Sequence, residues 1–558
     1  MKRICLFFLI FFLYTGNLFS QIKQVKLRSG SPAQYERVDV DIELTATWKN
    51  PYFQEEVALN MKIVTPSGQE MTLPCYYESG NSGSLSLWKA RFTPQEAGNY
   101  QYHFQLSQKG KVRNSSRPET FISGATDRTG FLHVHDHWTL RFDNGTPFRG
   151  IGENICWESR DEDDSRYFKE LHEVSSLYNY DSMLPQFAGY GGNFYRIWIC
   201  SWNLPIDYQG PFNNSRYLPS DTYYNPSALA RMDRVVELSE SLDLYMMLTL
   251  GQGGYLQKDR GVATSDEDFF INPKARQWYK NRLRYIVARW GYSPSIAMWE
   301  FFNEVDNVQY RDNDHPVPGQ YIVDWHTEMA AYLKQIDPYQ HIVTTSISHR
   351  DIEGLNSIPD MDINQKHIYN HTEVIPAEIS QYINDFGKPY IIGEFGYEWD
   401  WSKNFNDFAA GMDIDFKRGL WYGLFSPTPV TPMSWWWEFF DNRGTNAYFR
   451  GVREISDRML SAGKGSFVPL SVDAPGIESF AVRCGEEIYL YLFNPVDAVF
   501  LSDVTLSGGN QKYNVQSFEP TYRIYTELPA VSSVSGQIVL PKIPVASMKE
   551  KVLILTPY

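Results

Sequence analysis

Cysteine is scarce, five in 558 residues, and the pattern excludes more than the number does. None of Cys75, Cys156, Cys200 and Cys484 belongs to a C-x-x-C pair or has a histidine at ligand spacing, so a structural zinc site has no support. Basic runs are absent too: 51 Lys and Arg stand against 66 Asp and Glu, and no cluster exists to track a phosphate backbone, which excludes nucleic acid as an expected partner. No Gly-rich phosphate loop and no G-x-S-x-G elbow occurs, so phosphoryl transfer and serine esterase chemistry have no basis. No apolar stretch after the first residues is long enough to span a bilayer. Repeats and low-complexity tracts are missing as well.

What is present is an ordinary globular composition, 43% hydrophobic and 21% charged, in a chain long enough for about three or four units or for a large barrel with smaller companions. The 16 Trp, 37 Tyr and 34 Phe suit large cores and stacking on sugar rings alike. Lys2 and Arg3 precede the apolar run Leu6 to Tyr14, and a polar stretch leads to Ser20-Gln21. That is the three-part plan of a secretory leader, expected to be cut after Ser20. Cys5 lies before the apolar run, where a lipid-anchoring cysteine would have to follow it. The expectation is an exported protein, periplasmic or extracellular, with no membrane span. Export permits disulfides; Cys156 and Cys200 follow two segments that read as neighbouring strands, so a bridge is possible, with buried free thiols as the plainer alternative.

Three blocks follow the leader (1–20). Residues 21–125 alternate in short strand-like runs, Val38 to Leu44 being the clearest, the pattern of a β-sandwich. Residues 126–465 alternate apolar strands with longer helical segments, the pattern of β/α units on a parallel sheet, and are long enough for a (β/α)8 TIM barrel. Residues 466–558 return to short strands and read as a second small β-sandwich. The fold class is thus multidomain, a central barrel flanked by N- and C-terminal sandwiches. The barrel strands are predicted at Phe148–Ile155, Phe194–Ile199, Leu244–Leu250, Ile296–Phe302, His341–Thr345, Ile363–Ile368, Pro389–Gly393 and Thr431–Trp437. One intervening helix is predicted from Asn272 as cap and Pro273 in the first turn; Tyr279, Leu283, Ile286, Val287 and Trp290 share one face, and Lys280, Arg284 and Arg289 lie opposite.

In a parallel barrel all C-terminal strand ends open on one rim, so residues distant in sequence converge there. Two strand ends carry carboxylates in apolar surroundings, Met298-Trp299-Glu300-Phe301-Phe302-Asn303-Glu304 and Tyr390-Ile391-Ile392-Gly393-Glu394-Phe395-Gly396. A buried glutamate with a raised pKa can donate a proton near neutrality. Glycosidic cleavage needs two such groups, one to protonate the leaving oxygen and one to attack or to activate water. The structural alternative is that either Glu caps its loop or pairs with an arginine.

These segments resemble the fourth- and seventh-strand motifs of clan A retaining glycoside hydrolases, the group of cellulases, β-mannanases and β-galactosidases on (β/α)8 barrels. The resemblance implies that Glu304 is the general acid/base, Glu394 the nucleophile, and Asn303 a partner of the sugar 2-hydroxyl. By the same likeness Arg196 keeps the nucleophile ionised, Tyr369 bonds it, and His367 lines the sugar site. Trp435-Trp436-Trp437 is similar to the clan's sugar-stacking position, with Trp435 and Trp437 on one face by alternation. Asn154 and Trp157, after the first strand, are read either as a neighbouring subsite or as loop packing. Where the cellulase branch commonly has a histidine, this chain has Gln252, which puts that branch in doubt. Asp161-Glu162-Asp163-Asp164 lacks the spaced pattern of a calcium loop and reads as a solvated helix start. The first block resembles the β-sandwich called domain of unknown function 5060.

The resulting expectation is a secreted retaining β-glycoside hydrolase acting on polysaccharides or oligosaccharides, endo-acting and cellulase- or mannanase-like, with no cofactor and no metal. The alternatives are an exo-acting β-galactosidase or β-mannosidase of the same clan and a non-catalytic carbohydrate-binding protein. If the enzyme retains, the carboxyls of Glu304 and Glu394 should lie about 5–5.5 Å apart. Arg196 and Tyr369 should sit nearer Glu394, and Glu304 should be the more apolar of the two with the higher pKa.

Overall fold

The computed structural model describes residues 21–161, 169–173, 177–251, 261–398, 400 and 403–558. Residues 1–20, expected as a leader, Glu162 to Asp164 of the acidic run, and Gln252 lie outside them.

The first block forms two antiparallel sheets. One orders Ile22–Leu27, Val38–Thr45, Leu85–Phe92 and Tyr76–Gly80; the other contains Glu70–Pro74, Val57–Val64, Gly98–Gln108 and Lys111–Ser115, with Glu119–Ser123 also paired to Gly98–Gln108. Alternation does the work: in Val38–Thr45 every second side chain is buried, and these residues face Leu59, Met61, Tyr102 and Phe104 in one apolar cluster. The last block likewise has two sheets, a larger one from Val468–Leu470 to Glu550–Pro557 and a smaller one of Val472–Asp473, Phe500–Ser507 and Gln537–Val545.

Between them, parallel strands run in sequence order: strand one Gly152–Asn154, two Phe194–Trp198, three Tyr245–Thr249, four Ile296–Glu300, five Ile342–Thr344 continued at Ser346–Ile347, six Asn364–Tyr369 and seven Tyr390–Gly396. Strand one is shorter than the expected Phe148–Ile155. Pro147–Phe148 instead completes a small antiparallel sheet with Leu132–Val134 and Leu140–Phe142, and pairing with strand two begins only at Gly152, where the Phe194 carbonyl oxygen would lie 1.5 Å from any Cβ. The expected strand Thr431–Trp437 is not a regular strand. Residues 429–435 hydrogen-bond on one side to residues 150 and 154 and on the other to residues 392 and 395, but Pro432 has no N–H to give the ladder, and Trp437 opens the helix Trp437–Arg443.

The helix Pro273–Trp290 starts as the sequence requires, with the Asn272 side chain accepting from the Lys274 N–H. Two of the three basic residues on its opposite face, Arg284 and Arg289, turn to protein partners at the first sandwich. Arg284 Nη2 donates to the Leu59 carbonyl at 2.8 Å and to Asn60 Oδ1 at 2.6 Å, both in the first sandwich. Asp233 gathers Arg91 of the sandwich at 2.9 Å and Arg289 at 2.7 Å. Cys156 and Cys200 follow the plainer of the two readings: all four described cysteines are buried free thiols, and the Cys156 thiol donates to Asn154 Oδ1 at 3.4 Å.

Candidate active site

The site lies where strands two, four, six and seven end. Arg196 on strand two is wholly buried, and a guanidinium removed from water is stable only if carboxylates replace its hydration. Two do. Nε and Nη2 donate to Glu300 at 2.7 and 2.8 Å, and Nη1 donates to Glu394 at 2.5 Å. Thr249 adds a hydroxyl to Glu300 at 2.5 Å. Arg196 therefore divides one positive charge between two carboxylates instead of serving Glu394 alone. Glu300 was not singled out from the sequence. Strand parity would have found it, because Arg196 and Glu300 both fall on inward positions of strands two and four, on either side of strand three, and a buried charge needs its opposite.

Glu394 and His367 are register partners on strands seven and six. His367 Nδ1 lies 2.8 Å from Glu304 and 3.3 Å from Glu394, while its Nε2 is buried without a partner. Tyr369 donates its hydroxyl to Glu394 at 2.5 Å. One oxygen of Glu304, one of Glu394 and a ring nitrogen of His367 all lie within 4.8 Å of one another, the only such trio among the described residues whose donor atoms could share a cation. The cation at hand is Arg196.

Glu304 sits in a left-handed backbone conformation, φ +52°, which costs a non-glycine residue about 1–2 kcal/mol. The turn is tied down on several sides. The Glu304 N–H donates to Ser346 Oγ at 2.9 Å, and Asn307 Nδ2 donates to Glu304 Oε2 at 2.8 Å. The buried Asp306 accepts from the N–H groups of Ser348, His349 and Arg350 at 2.7, 3.0 and 3.1 Å. Asn303 accepts from Arg196 Nη2 at 2.7 Å through Oδ1, leaving Nδ2 as the donor available to a ligand.

The electrostatics reverse the expected order. The Glu304 side chain is 19% exposed and that of Glu394 3%. Burial raises Glu304, but the hydrogen bond and nearby ring of His367, with the Arg196 charge, outweigh it and hold the carboxyl below the ordinary range. For Glu394 burial prevails over His367 and Arg196, Glu304 adds repulsion, and its pKa is raised. The more apolar carboxyl is Glu394.

Asn154 is not a sugar contact. It is completely buried, its Nδ2 donates to the carbonyls of Gly393, Met433 and Ser434, and its Oδ1 accepts from Arg196; it ties strand one to its neighbours. Trp157 is 8% exposed and meets Trp198, Trp202, Trp435 and Trp437 edge to face at 4.9–6.0 Å. Trp435 and Trp437 thus share a side, while Trp436 packs on Phe405 at 4.5 Å and donates to the Tyr397 carbonyl. Trp198 and Trp202 were missed, having no motif of their own.

The family described as cellulase (glycosyl hydrolase family 5) matches residues 161–413, a span that includes Arg196, Glu304, His367, Tyr369 and Glu394, and domain of unknown function DUF5060 matches residues 31–107. Mannan endo-1,4-beta-mannosidase 7 of Oryza sativa subsp. japonica is 25% identical over 255 residues, 36% of this chain and 64% of the relative. Mannan endo-1,4-beta-mannosidase A of Podospora anserina is 24% identical over 251 residues, 39% and 65% of the two chains. The chain thus spans just under two thirds of the length of these curated relatives. A protein of Bacteroides vulgatus ATCC 8482, described as a candidate glycoside hydrolase, shares the fold with a TM-score of 0.66 at 16% identity, over 95% of this chain and all of that one. A further glycoside hydrolase structure gives 0.52 at 15% identity, over 77% and 97%. Such neighbours imply a (β/α)8 barrel with additional β-rich domains. The matched segments are a family 5 cellulase domain behind a domain of the 5060 type, and together with the mannanase relatives they support a clan A glycoside hydrolase.

Proposed function

We propose that the protein is a retaining β-glycoside hydrolase in which Glu394 is the nucleophile and Glu304 the general acid/base. The observation that carries this reading is the approach of the two carboxylates, an oxygen of each within 4.8 Å of the other and of His367 Nδ1. Retaining pairs stand about 5–5.5 Å apart, while inverting pairs need about 6.5–9.5 Å to admit a water. The ring of strands is read as closed by residues 429–435, supported by their hydrogen bonds to both flanking strands.

In the first step Glu394 attacks the anomeric carbon and the glycosidic C–O bond breaks as Glu304 gives its proton to the leaving oxygen. In the second, Glu304 takes a proton from water, the hydroxyl attacks the same carbon, and the Glu394 carboxylate leaves; the sum is one bond hydrolysed by one water. Arg196 and Tyr369 hold Glu394 for in-line attack. Because the donors around Glu304 favour its ionised form in the free protein, the pair binds its proton jointly, and that proton passes to Glu304 as the sugar displaces solvent. The mannanase relatives put β-1,4-mannan and related β-1,4-glycans first among substrates. The leader read in residues 1–20 supports export and work on polysaccharide outside the cytoplasm, with the barrel at 126–465 between sandwiches at 21–125 and 466–558.

The test is the first-formed anomer, followed by NMR, together with trapping by 2-deoxy-2-fluoro β-glycosides. Retention and a sugar adduct on the peptide holding Glu394 are expected; an inverted product overturns the mechanism.

A further inference from the structure

The direction in which a glycan crosses this site follows from the two carboxylates. The leaving oxygen must meet Glu304, so the aglycone departs over the rim of strands four to six, where His367 and Asn307 hold that carboxylate. The glycone residue bound at Glu394 points the other way. Any sugar preceding it would have to cross the ends of strands one and two and of the segment 429–435, which stands opposite strand four in the closed ring proposed above.

That rim is filled by indoles. Trp157, after strand one, is the hub, with ring centroids 5.4 Å from Trp198, 6.0 Å from Trp202, 5.3 Å from Trp435 and 4.9 Å from Trp437. The wall is cross-braced: Trp435 lies 5.3 Å from Trp198 and 5.4 Å from Trp437. The Arg160 guanidinium covers Trp157 and Trp202 at 5.6 and 5.8 Å. A groove for several sugars needs a row of open ring faces, since stacking uses the face. Here the contacts to Trp157 are edge to face, and Trp157, Trp198 and Trp437 are 8, 5 and 3% exposed. Of the five indoles only Trp435 and Trp202 are partly exposed; Trp435, whose backbone N–H donates to the carbonyl of Phe395 next to Glu394, is the platform for one ring, and Trp202 stands at the edge of the wall.

We infer that the glycone side of the site is a closed pocket for one sugar, so that the enzyme removes single residues from the non-reducing ends of β-linked chains. This rests on the glycosidase reading above and departs from the internal cleavage that the names of the mannanase relatives describe.

The experiment uses the full chain on aryl β-monoglycosides and aryl β-disaccharides of mannose, glucose, galactose and xylose, and on the matching β-1,4-linked hexasaccharides, with products separated from the earliest times. Expected are a kcat/KM at least about 100-fold higher on the aryl monoglycoside than on the aryl disaccharide of the preferred sugar, and monosaccharide plus pentasaccharide as first products. Di- and tetrasaccharides or trisaccharides at the first time points, or release of an intact disaccharide from its aryl glycoside, overturn the inference while leaving the glycosidase reading in place. No turnover of any substrate by the folded protein overturns both. Trp202→Ala, at the half-buried edge of the wall, should raise activity on the aryl disaccharide at least tenfold; if that variant does not fold, the product pattern of the parent protein still decides.

Discussion

Asp441 provides a stability test that owes nothing to the chemistry of the site. It lies on the helix opened by Trp437, where Glu153, Glu438 and Asp441 line a small pocket with Asn446. Asn446 Nδ2 donates to Glu153 at 2.9 Å and Gln186 Nε2 to Asp441 at 2.6 Å. Burial raises Asp441 from 3.8 to about 6, and burial followed by repulsion from Asp441 holds Glu153 well above the carboxylate range. The sign follows from linkage: a carboxyl whose folded pKa exceeds its unfolded value imposes no penalty below the unfolded pKa, an increasing one between the two, and a constant one above the folded pKa. A shift of about two units is worth about 3 kcal/mol at most, and solvent screening of this half-exposed group cuts it to about 1–2 kcal/mol. Asp441→Asn keeps an acceptor for Gln186 and removes the charge. It should stabilise the central domain by about 1–2 kcal/mol at pH 7.5 and by nothing below pH 4. Denaturant unfolding followed by tryptophan fluorescence at both pH values measures this. A gain of equal size at both, or a loss at pH 7.5, refutes the argument.

The two glutamates should differ when removed: Glu394→Gln loses turnover on every substrate, whereas Glu304→Ala keeps part of its activity on glycosides with good leaving groups and recovers with azide; near-parental rates in both folded variants would end the assignment. Asn307→Ala removes a donor to ionised Glu304, so the basic limb of kcat/KM should move up by up to about one pH unit, and an unmoved limb would mean that the contact carries no weight. Arg196→Met leaves Glu300 and Glu394 buried without their cation and should cost about 3–5 kcal/mol in thermal or denaturant unfolding, with Arg196→Lys in between; a parental melt for Arg196→Met would contradict the buried network.

Legibility in the sequence followed how local the determinant was. The helix Pro273–Trp290 is readable because its cap, its first-turn proline and its apolar stripe all lie within it. Strands two to four and seven are readable as short, largely apolar runs between polar turns, and Glu304 and Glu394 as acids at the ends of such runs. What was lost depended on partners elsewhere. The relative pKa of the two glutamates depends on His367, Asn307 and depth below the rim, none of which a strand motif encodes. Asn154, polar after a strand, looks like a ligand contact until Gly393, Met433 and Ser434 are seen to use its donors. Trp437 alternates correctly with Trp435 yet belongs to a helix, because Pro432 interrupts the ladder two residues before Ser434.

The first sandwich, finally, is not a detachable module. Its Leu59 carbonyl and Asn60 side chain accept from Arg284, its Arg91 shares Asp233 of the central block with Arg289, and its Thr93 N–H is capped by the Tyr339 hydroxyl at 2.7 Å. Cutting the chain between the two would take from Arg284 its two acceptors and from Asp233 one of its two arginines, and would strand a tyrosine packed among the sandwich's own rings. Any attempt to transplant the catalytic domain onto a different neighbour must therefore redesign the helix Pro273–Trp290 first, since that helix is the hinge pin on which the two domains were fitted to each other.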